Sequence, residues 1–462
     1  MKMKVWLSIL FIVCIMTGCT FSFQNHQNSE VENETLGLTP DFSYTVTPQV
    51  PNILVNQAGY LIEDSKVAIL HGKNLQTEFT VYNVLNQKEE YKGKLKAGKL
   101  EVSENMAESD EVPLKKDVYL ADFSQLKQAG TYYIYHPDLG YSYEFQIGNG
   151  IYDDIENKVL DMIQEEENDT SLLCYQLAAL FLTRELYPEN ILNPEYLENI
   201  CKEKIQQLLQ AQDPVTGSVY ADISNAEKMK DLDLTQKQQY ISLAATAEFA
   251  GTMAIFAYQM QDIDWNIYNQ CYGAAEKAYR AIQNNLDNVG YDAGYFAAAH
   301  LYRLTGRGKY SQAVKQYLAM KEEQKSYTEY DFSMFADYAY ITFRFGVNLQ
   351  SSEMVMKKLL SRAEEISLSS SRYTYYVSGQ RQYNDIDGKL TDMGNMALVN
   401  YIITNHEYTQ LLKNYRDYLM GRNPQNICYI DGFGMMNSTE EKGKVTTRNC
   451  GLFYLLLQST KR

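Results

Sequence analysis

From Ile53 to Ile147 apolar and polar positions alternate over short runs, "KVAIL", "EFTVYNV", "DVYLADF", "TYYIYH" and "YSYEFQI", with Gly, Asn, Asp and Lys between them. A period of two sends successive side chains to opposite faces, so these runs read as half-buried strands. Their regular spacing predicts a β-sandwich of about 95 residues. Near Ile151 the period changes. In "LLCYQLAALFLTREL", "YISLAATAEFAGTMAIFAYQM", "GAAEKAYRAI" and "YFAAAHLYRL" apolar residues recur three and four apart, with Gly, Pro, Asn and Asp separating the stretches. This half is expected to be nearly all helix, in pairs that can close into a toroid; no fixed-period repeat marks a solenoid.

A single core stops growing at roughly 250 to 300 residues, so 462 residues imply two domains. They are placed at 51–148 for the sandwich and 151–460 for the helical part. Residues 20–50 are polar and aperiodic, and read as a flexible tether. Ahead of them, "MKMKVWLSILFIVCIMTGC" has two lysines, an apolar run from Val5 to Met16 and small residues before Cys19. That run is short for a membrane span and is flanked as an export signal is. Met16-Thr17-Gly18-Cys19 also resembles a bacterial lipobox, which implies lipidation of Cys19 and a membrane anchor at the cell envelope. Secretion with cleavage nearby is the other reading.

Net charge of −16, without a Lys/Arg cluster beyond the first four residues, argues against a nucleic-acid partner. The cysteines after Cys19, at 174, 201, 271, 428 and 450, are odd in number and widely spaced, so they are expected to be free and buried. His26, His71, His136, His300 and His406 are scattered, and no zinc motif appears. No cofactor is expected. The acidic runs 165–168 and 440–441 supply oxygen ligands of the kind calcium takes, but without the spacing of an EF-hand loop.

Several ordered segments of the second half carry a resemblance. They are "LLQAQDPVTGSVYADIS" (208–224), "SLAATAEFAGTMAIFA" (242–257), "DAGYFAAAHLYRLTG" (292–306) and "YLMGRNPQNICYIDGFG" (418–434). Together they resemble glycoside hydrolase family 9, the endoglucanase family. Val55-Asn56-Gln57-Ala58-Gly59-Tyr60, with Phe123-Ser124-Gln125-Leu126 and Gly130-Thr131-Tyr132, resembles the immunoglobulin-like domain that precedes the catalytic module in many bacterial members. The resemblance implies a multidomain chain, β then all-α: an immunoglobulin-like β-sandwich followed by a truncated six-hairpin α/α barrel. It also implies a polysaccharide or oligosaccharide partner.

The family's chemistry needs two carboxyl groups, one deprotonating water and one donating to the leaving oxygen, about 6.5 to 9.5 Å apart in an inverting enzyme. Asp292-Ala293-Gly294 opens the Ala-rich helix and is not the family's Asp-Ala-Gly-Asp base loop, which is missing from residues 148–177. Matching "RNCGLFYLLLQ" (448–458) to the family's last helix puts Gly443 where its acidic Glu stands, with Glu440 and Glu441 just upstream. The family's His-His-Arg cluster is replaced by "MMNSTEEKGK", its His-Lys by Ala221-Asp222, and the Glu of its helix start by Ala293. Asp169 and Glu441 are the substitute carboxylates for catalysis. Among 39 tyrosines, Tyr220, Tyr295, Tyr383 and Tyr429 are the sugar-contact candidates, with Tyr373 and Tyr376 also near barrel loops. The expected function is glycan binding at the cell envelope with hydrolysis lost or severely impaired. The alternatives are an active hydrolase of β-1,4-linked glucans and an envelope scaffold.

Overall fold

The alternation seen in the sequence becomes two antiparallel sheets in a computed structural model that describes residues 50–98, 117–320, 330–343, 348–378, 384–438 and 443–461. The strands are β1 (Ile53–Leu54), β2 (Val67–His71), β3 (Glu78–Asn83), β4 (Glu89–Lys94), β5 (Lys96–Ala97), β6 (Val118–Asp122), β7 (Gly130–His136), β8 (Gly140–Tyr141) and β9 (Phe145–Ile147). One sheet runs β1-β2-β6-β5; the other runs β4-β3-β7-β8, with β9 also paired to β7. In β7, Tyr132, Ile134 and His136 are buried while Thr131, Tyr133 and Tyr135 face outward, the period of two expected of a half-buried strand. The first sheet is covered on both sides. Ile53, Ala68, Leu70 and Ala121 join the sandwich core, whereas Leu54, Ile69 and Val118 pack into the core of the helical domain.

That domain comprises α1 (Asp153–Gln164), α2 (Thr170–Leu186), α3 (Pro194–Gln210), β10 (Val219–Tyr220), α4 (Leu234–Lys237), β11 (Ile241–Ser242), α5 (Leu243–Met260), α6 (Trp265–Ile282), α7 (Tyr291–Thr305), α8 (Gly308–Ala319), α9 (Ser333–Ile341), α10 (Leu349–Ser371), α11 (Ile386–Ile402), α12 (Thr409–Leu419) and α13 (Cys450–Ser459). Among the described residues α2, α5, α7, α9, α11 and α13 pack neighbour to neighbour and close on themselves, forming the inner ring of a six-hairpin α/α barrel. Inner helices such as α5 and α13 are apolar nearly all round because both faces are buried. Outer helices such as α1, α6 and α12 carry one apolar stripe and turn the rest to water. The five cysteines of the helical domain are buried and free.

The two most family-like sequence motifs meet each other. Asn56 Nδ2 donates to Asp417 Oδ1 at 2.9 Å, Gln57 Nε2 to the Asn426 carbonyl at 2.8 Å, and Met435 N to Gln57 Oε1 at 2.7 Å. Arg416 bridges Asp64 (2.7 Å) and Asp417 (3.0 Å), and Lys413 also reaches Asp64 at 2.7 Å. Burial alone would raise the Asp64 carboxyl, but Arg416 and Lys413 outweigh it and hold it below its ordinary range. Gly421 takes φ of 124°, and a Cβ there would lie 2.7 Å from Gln57 Nε2, so this turn admits only glycine.

Candidate functional site

The starts of the inner helices gather at one end of the ring. Thr170 N donates to the Ala221 carbonyl and Ala221 N to the Tyr240 carbonyl, tying the start of α2 to the hairpin that leads into α5. Phe332 N donates to Asp292 Oδ2 at 3.2 Å, joining α9 to α7. Gln176 Nε2 donates to the Thr447 carbonyl, joining α2 to the start of α13, and Asn449 Nδ2 donates to Asp387 Oδ1 at 2.6 Å, joining α13 to α11. Six partly positive helix ends therefore converge, which favours the aspartates found there.

An aromatic cluster lies beneath this mouth, with Tyr330 partly exposed and Tyr175, Phe332 and Phe296 buried behind it. Tyr175 lies 5.2 Å from Tyr330 and 5.3 Å from Phe332, centroid to centroid, and Phe332 continues to Phe296 at 4.7 Å. Burial, then the nearby Asp331, keep the Tyr175 hydroxyl protonated by raising its pKa. At the rim the Arg448 guanidinium sits 5.3 Å over the Tyr330 ring and 3.5 Å from Asp387 Oδ2. Arg448 and Asp387 are both partly exposed, with side chains 39% and 48% accessible. A ring face against the C–H face of a sugar, beside a guanidinium and a carboxylate for its hydroxyls, is an arrangement suited to holding a glycan.

The mouth carboxylates are also engaged locally. Asp169 is exposed and caps α2, accepting from Ser171 N (2.8 Å) and Leu172 N (3.1 Å). Asp222, whose backbone pairs with that of Asp169, accepts from Ser224 N and Oγ. Asp331 accepts from Ser333 N and Asp385 from Gly388 N. Glu166 and Glu167 accept from Asn168 Nδ2 and Asp169 N. Among the described residues, no group of three or more His, Cys, Asp or Glu side chains is placed to hold a metal ion.

The structure distributes the other sequence candidates as follows. Tyr220 is buried, and its hydroxyl donates to Asp213 Oδ2 at 2.9 Å, beside the Lys237 ammonium on the same oxygen. Tyr295 is buried in α7 and donates to Asp337 Oδ1 at 3.0 Å. Tyr429 is buried against Tyr418, their rings 6.3 Å apart. A ring enclosed in this way presents no face on which a sugar can stack, so these three serve packing and polar networks in this conformation. Tyr373 is buried too. Glu441, Tyr383 and Cys19 lie outside the described residues, as does Glu440. His300 is buried, bonded to the Phe335 carbonyl at 3.1 Å, and burial pushes its pKa well down.

Sequence reasoning passed over Tyr175, Tyr330, Asp387, Arg448 and Asn449. One signal was available: each stands within the first turns of an apolar inner helix or just before one, where a ring of parallel helices exposes its mouth.

The model of Glycosyl hydrolase family 9 matches residues 170–441, and that of the cellulase N-terminal ig-like domain matches residues 48–140. Two curated sequences, both Endoglucanase D of Acetivibrio thermocellus, are 22% identical over 410 residues, which is 70% of this chain. The match spans 65% and 63% of those relatives' own lengths, less than two thirds. Among solved structures, a Bacteroides ovatus GH9 protein aligns with a TM-score of 0.68 at 15% identity, covering 89% of this chain and 99% of that one. A metagenome-derived glycoside hydrolase family 9 endoglucanase gives 0.70 at 15%, covering 88% and 98%. A single mutant of a thermostable endoglucanase from Alicyclobacillus acidocaldarius gives 0.69 at 17%, covering 89% and 100%. At these identities the structural likeness establishes the fold.

Proposed function

Because this chain belongs to glycoside hydrolase family 9, whose members act on polysaccharides, we propose that it binds a β-linked glycan at the barrel mouth and has lost most or all hydrolytic power. The observation that carries this reading is the partly exposed Tyr330 ring, backed by the buried Tyr175 and set beside an Arg448–Asp387 pair at the rim, while the neighbouring aspartates cap helices. Gly443 at the acid position and the missing base loop support the same view, since function follows the site rather than the fold. The lipobox-like Met16-Thr17-Gly18-Cys19 supports an envelope-anchored protein.

One observation favours an active hydrolase. Asp169 stands exposed at the start of the first inner helix, at the mouth, where a water-activating carboxylate belongs. In that reading Glu441 is its acid partner.

Both readings meet in one experiment on the purified chain, combining affinity electrophoresis in gels containing soluble β-glucan or xyloglucan with assay of reducing ends. Retardation without product, weakened about tenfold by Arg448→Ala, is the expected result, since a charge-assisted hydrogen bond is worth about 1.5 to 3 kcal/mol. Product release abolished by Asp169→Asn or Glu441→Gln would make the chain a working hydrolase. Neither retardation nor product would leave the envelope scaffold as the better account.

A further inference from the structure

The outer helix α10 is the longest among the described residues, 23 residues or about 34 Å at 1.5 Å rise per residue. Val355, Leu359, Ala363 and Ile366 form its buried stripe. Beside that stripe Leu360, Glu364 and Leu368 recur four apart, so they line up along a flank that faces water. Leu360 is 38% exposed and Leu368 54%. They stand about 12 Å apart, roughly two helical turns. Tyr408, with Glu407, faces them from the connection between α11 and α12, and Ser367 completes the lining of an open groove of about 430 Å³.

The carboxylates of this groove are not neutralised. Among the described residues neither Glu364 nor Glu407 forms an ion pair; Glu407 accepts from Asn405 Nδ2 at 3.1 Å. The cations of the neighbouring elements are engaged elsewhere: Arg362 with Glu365 (3.4 Å) and Asp392 (2.7 Å), Lys358 with Asp337 (3.2 Å), and Lys413 with Asp64 (2.7 Å). Lys357 stands outside the lining. Burial raises the pKa of the Tyr408 hydroxyl, and after it Glu407 and Glu364 do so too, so both carboxylates act on one ring. The groove thus combines two exposed leucines, a tyrosine and two uncompensated negative charges.

This chemistry narrows the occupant. One partly covered tyrosine offers no row of ring faces to a polysaccharide. A second copy of this chain carries −16 as well and, beyond its first four residues, has no cluster of Lys or Arg to meet the carboxylates. An anionic membrane surface or a nucleic acid is repelled by the same two groups. A helix is complementary if its apolar residues lie two turns apart, to cover Leu360 and Leu368, with a Lys or Arg between them to meet Glu364 and Glu407. So short a groove buries well under the roughly 800 Å² per partner of a stable complex, which makes the contact a transient one.

We infer that the α10 groove is a docking site for a cationic amphipathic helix of another protein, held on Leu360, Leu368 and Tyr408 and oriented by Glu364 and Glu407. The inference does not depend on the reading of the barrel mouth. The probe is a fluorescein-labelled designed peptide of roughly 14 residues, with leucines along one helical face and lysines elsewhere. Its binding to the purified chain is read by fluorescence anisotropy, beside a peptide of the same composition in scrambled order. Saturable binding, about fivefold or more tighter than that of the scrambled peptide, is expected. Leu368→Ser removes an apolar contact without changing charge and should weaken binding about fivefold or more. Glu364→Lys should weaken it about tenfold at low salt and far less at 1 M, where the Debye length is about 3 Å. Glu195→Lys makes the same charge change on α3 and should alter binding less than about twofold, because exposed charges beyond a Debye length are screened. Arg448→Ala should leave binding unchanged. Melts show that each variant is folded. Binding that is absent, shared equally by the scrambled peptide, indifferent to Leu368→Ser, abolished by Arg448→Ala, or weakened as much by Glu195→Lys as by Glu364→Lys would overturn the inference. Retardation in glucan gels tests the mouth separately.

Discussion

Asp337 shows how a single buried group makes this barrel sensitive to pH. It lies in α9, accepts a hydrogen bond from Tyr295 at 3.0 Å and pairs with Lys358 at 3.2 Å. Burial still wins, pushing its carboxyl from 3.8 up to about 6, against the opposing pull of Lys358 and Tyr295. A carboxyl whose pKa is higher folded than unfolded contributes most below the unfolded value, and the contribution fades as pH rises through the folded one. The relevant window is therefore pH 4 to 6 and a little above. Between pH 4.5 and 7 this group alone lowers stability by about 2 kcal/mol, at 1.36 kcal/mol per unit. Urea unfolding of Asp337→Asn at the two pH values should show that much less decline than the parent chain. An equal decline in both would mean that Asp337 is ionised at little cost in the folded state.

Among elements, the join between the first sheet and the α12 region is the most tightly specified. Asp417 sits between Arg416 and Arg422, at 3.0 and 3.5 Å, and accepts from Asn56 across the domain boundary. Removing one partner of a buried ion network leaves the other charges without compensation, at about 3 to 5 kcal/mol. Asp417→Ala is therefore expected to lose that much in denaturant unfolding, whereas Lys127→Ala, whose partner Glu63 is exposed, should change stability by less than about 1 kcal/mol. The join also explains what the sequence could and could not disclose. Strand alternation in β7 and the long apolar runs of α2, α5 and α13 were legible because burial imprints a period, or its absence, on composition. "VNQAGY" and "YLMGRNPQN" were legible as distinctive, yet nothing in them revealed that they bind each other. The mouth was obscured for a related reason. An inner helix buried all round has no polar face to orient it, so Tyr175, in a helix start, could not be told from Tyr295, whose hydroxyl is spent on Asp337.

At the scale of the whole molecule, the sandwich is part of the barrel's construction. Leu54, Ile69 and Val118 belong to the barrel's core, and Tyr375 of the helical domain reaches His71 Nε2 at 2.7 Å. Gln57 holds the chain at Asn426, Met435 and Met436. Downstream, Lys444 bonds Asp431, and the segment reaches Arg448 and Asn449 at the mouth. Loss of the sandwich thus exposes apolar area at roughly 25 cal/mol per Å² and also frees the stretch that positions the rim of the barrel mouth, where glycan binding is proposed. A chain starting at residue 149 should melt at a lower temperature or without cooperativity. If it remains helical, it should bind β-glucan at the mouth no better than Arg448→Ala does. Gln57→Ala in the full chain separates the two effects: it leaves the apolar contact in place and loosens only the link. Its stability should fall by about 2 to 3 kcal/mol, at about 1 kcal/mol for each lost hydrogen bond, while retardation in glucan gels falls more than that loss of stability explains. A variant with a lowered melt and unchanged retardation would show that the sandwich supports the barrel without setting its mouth.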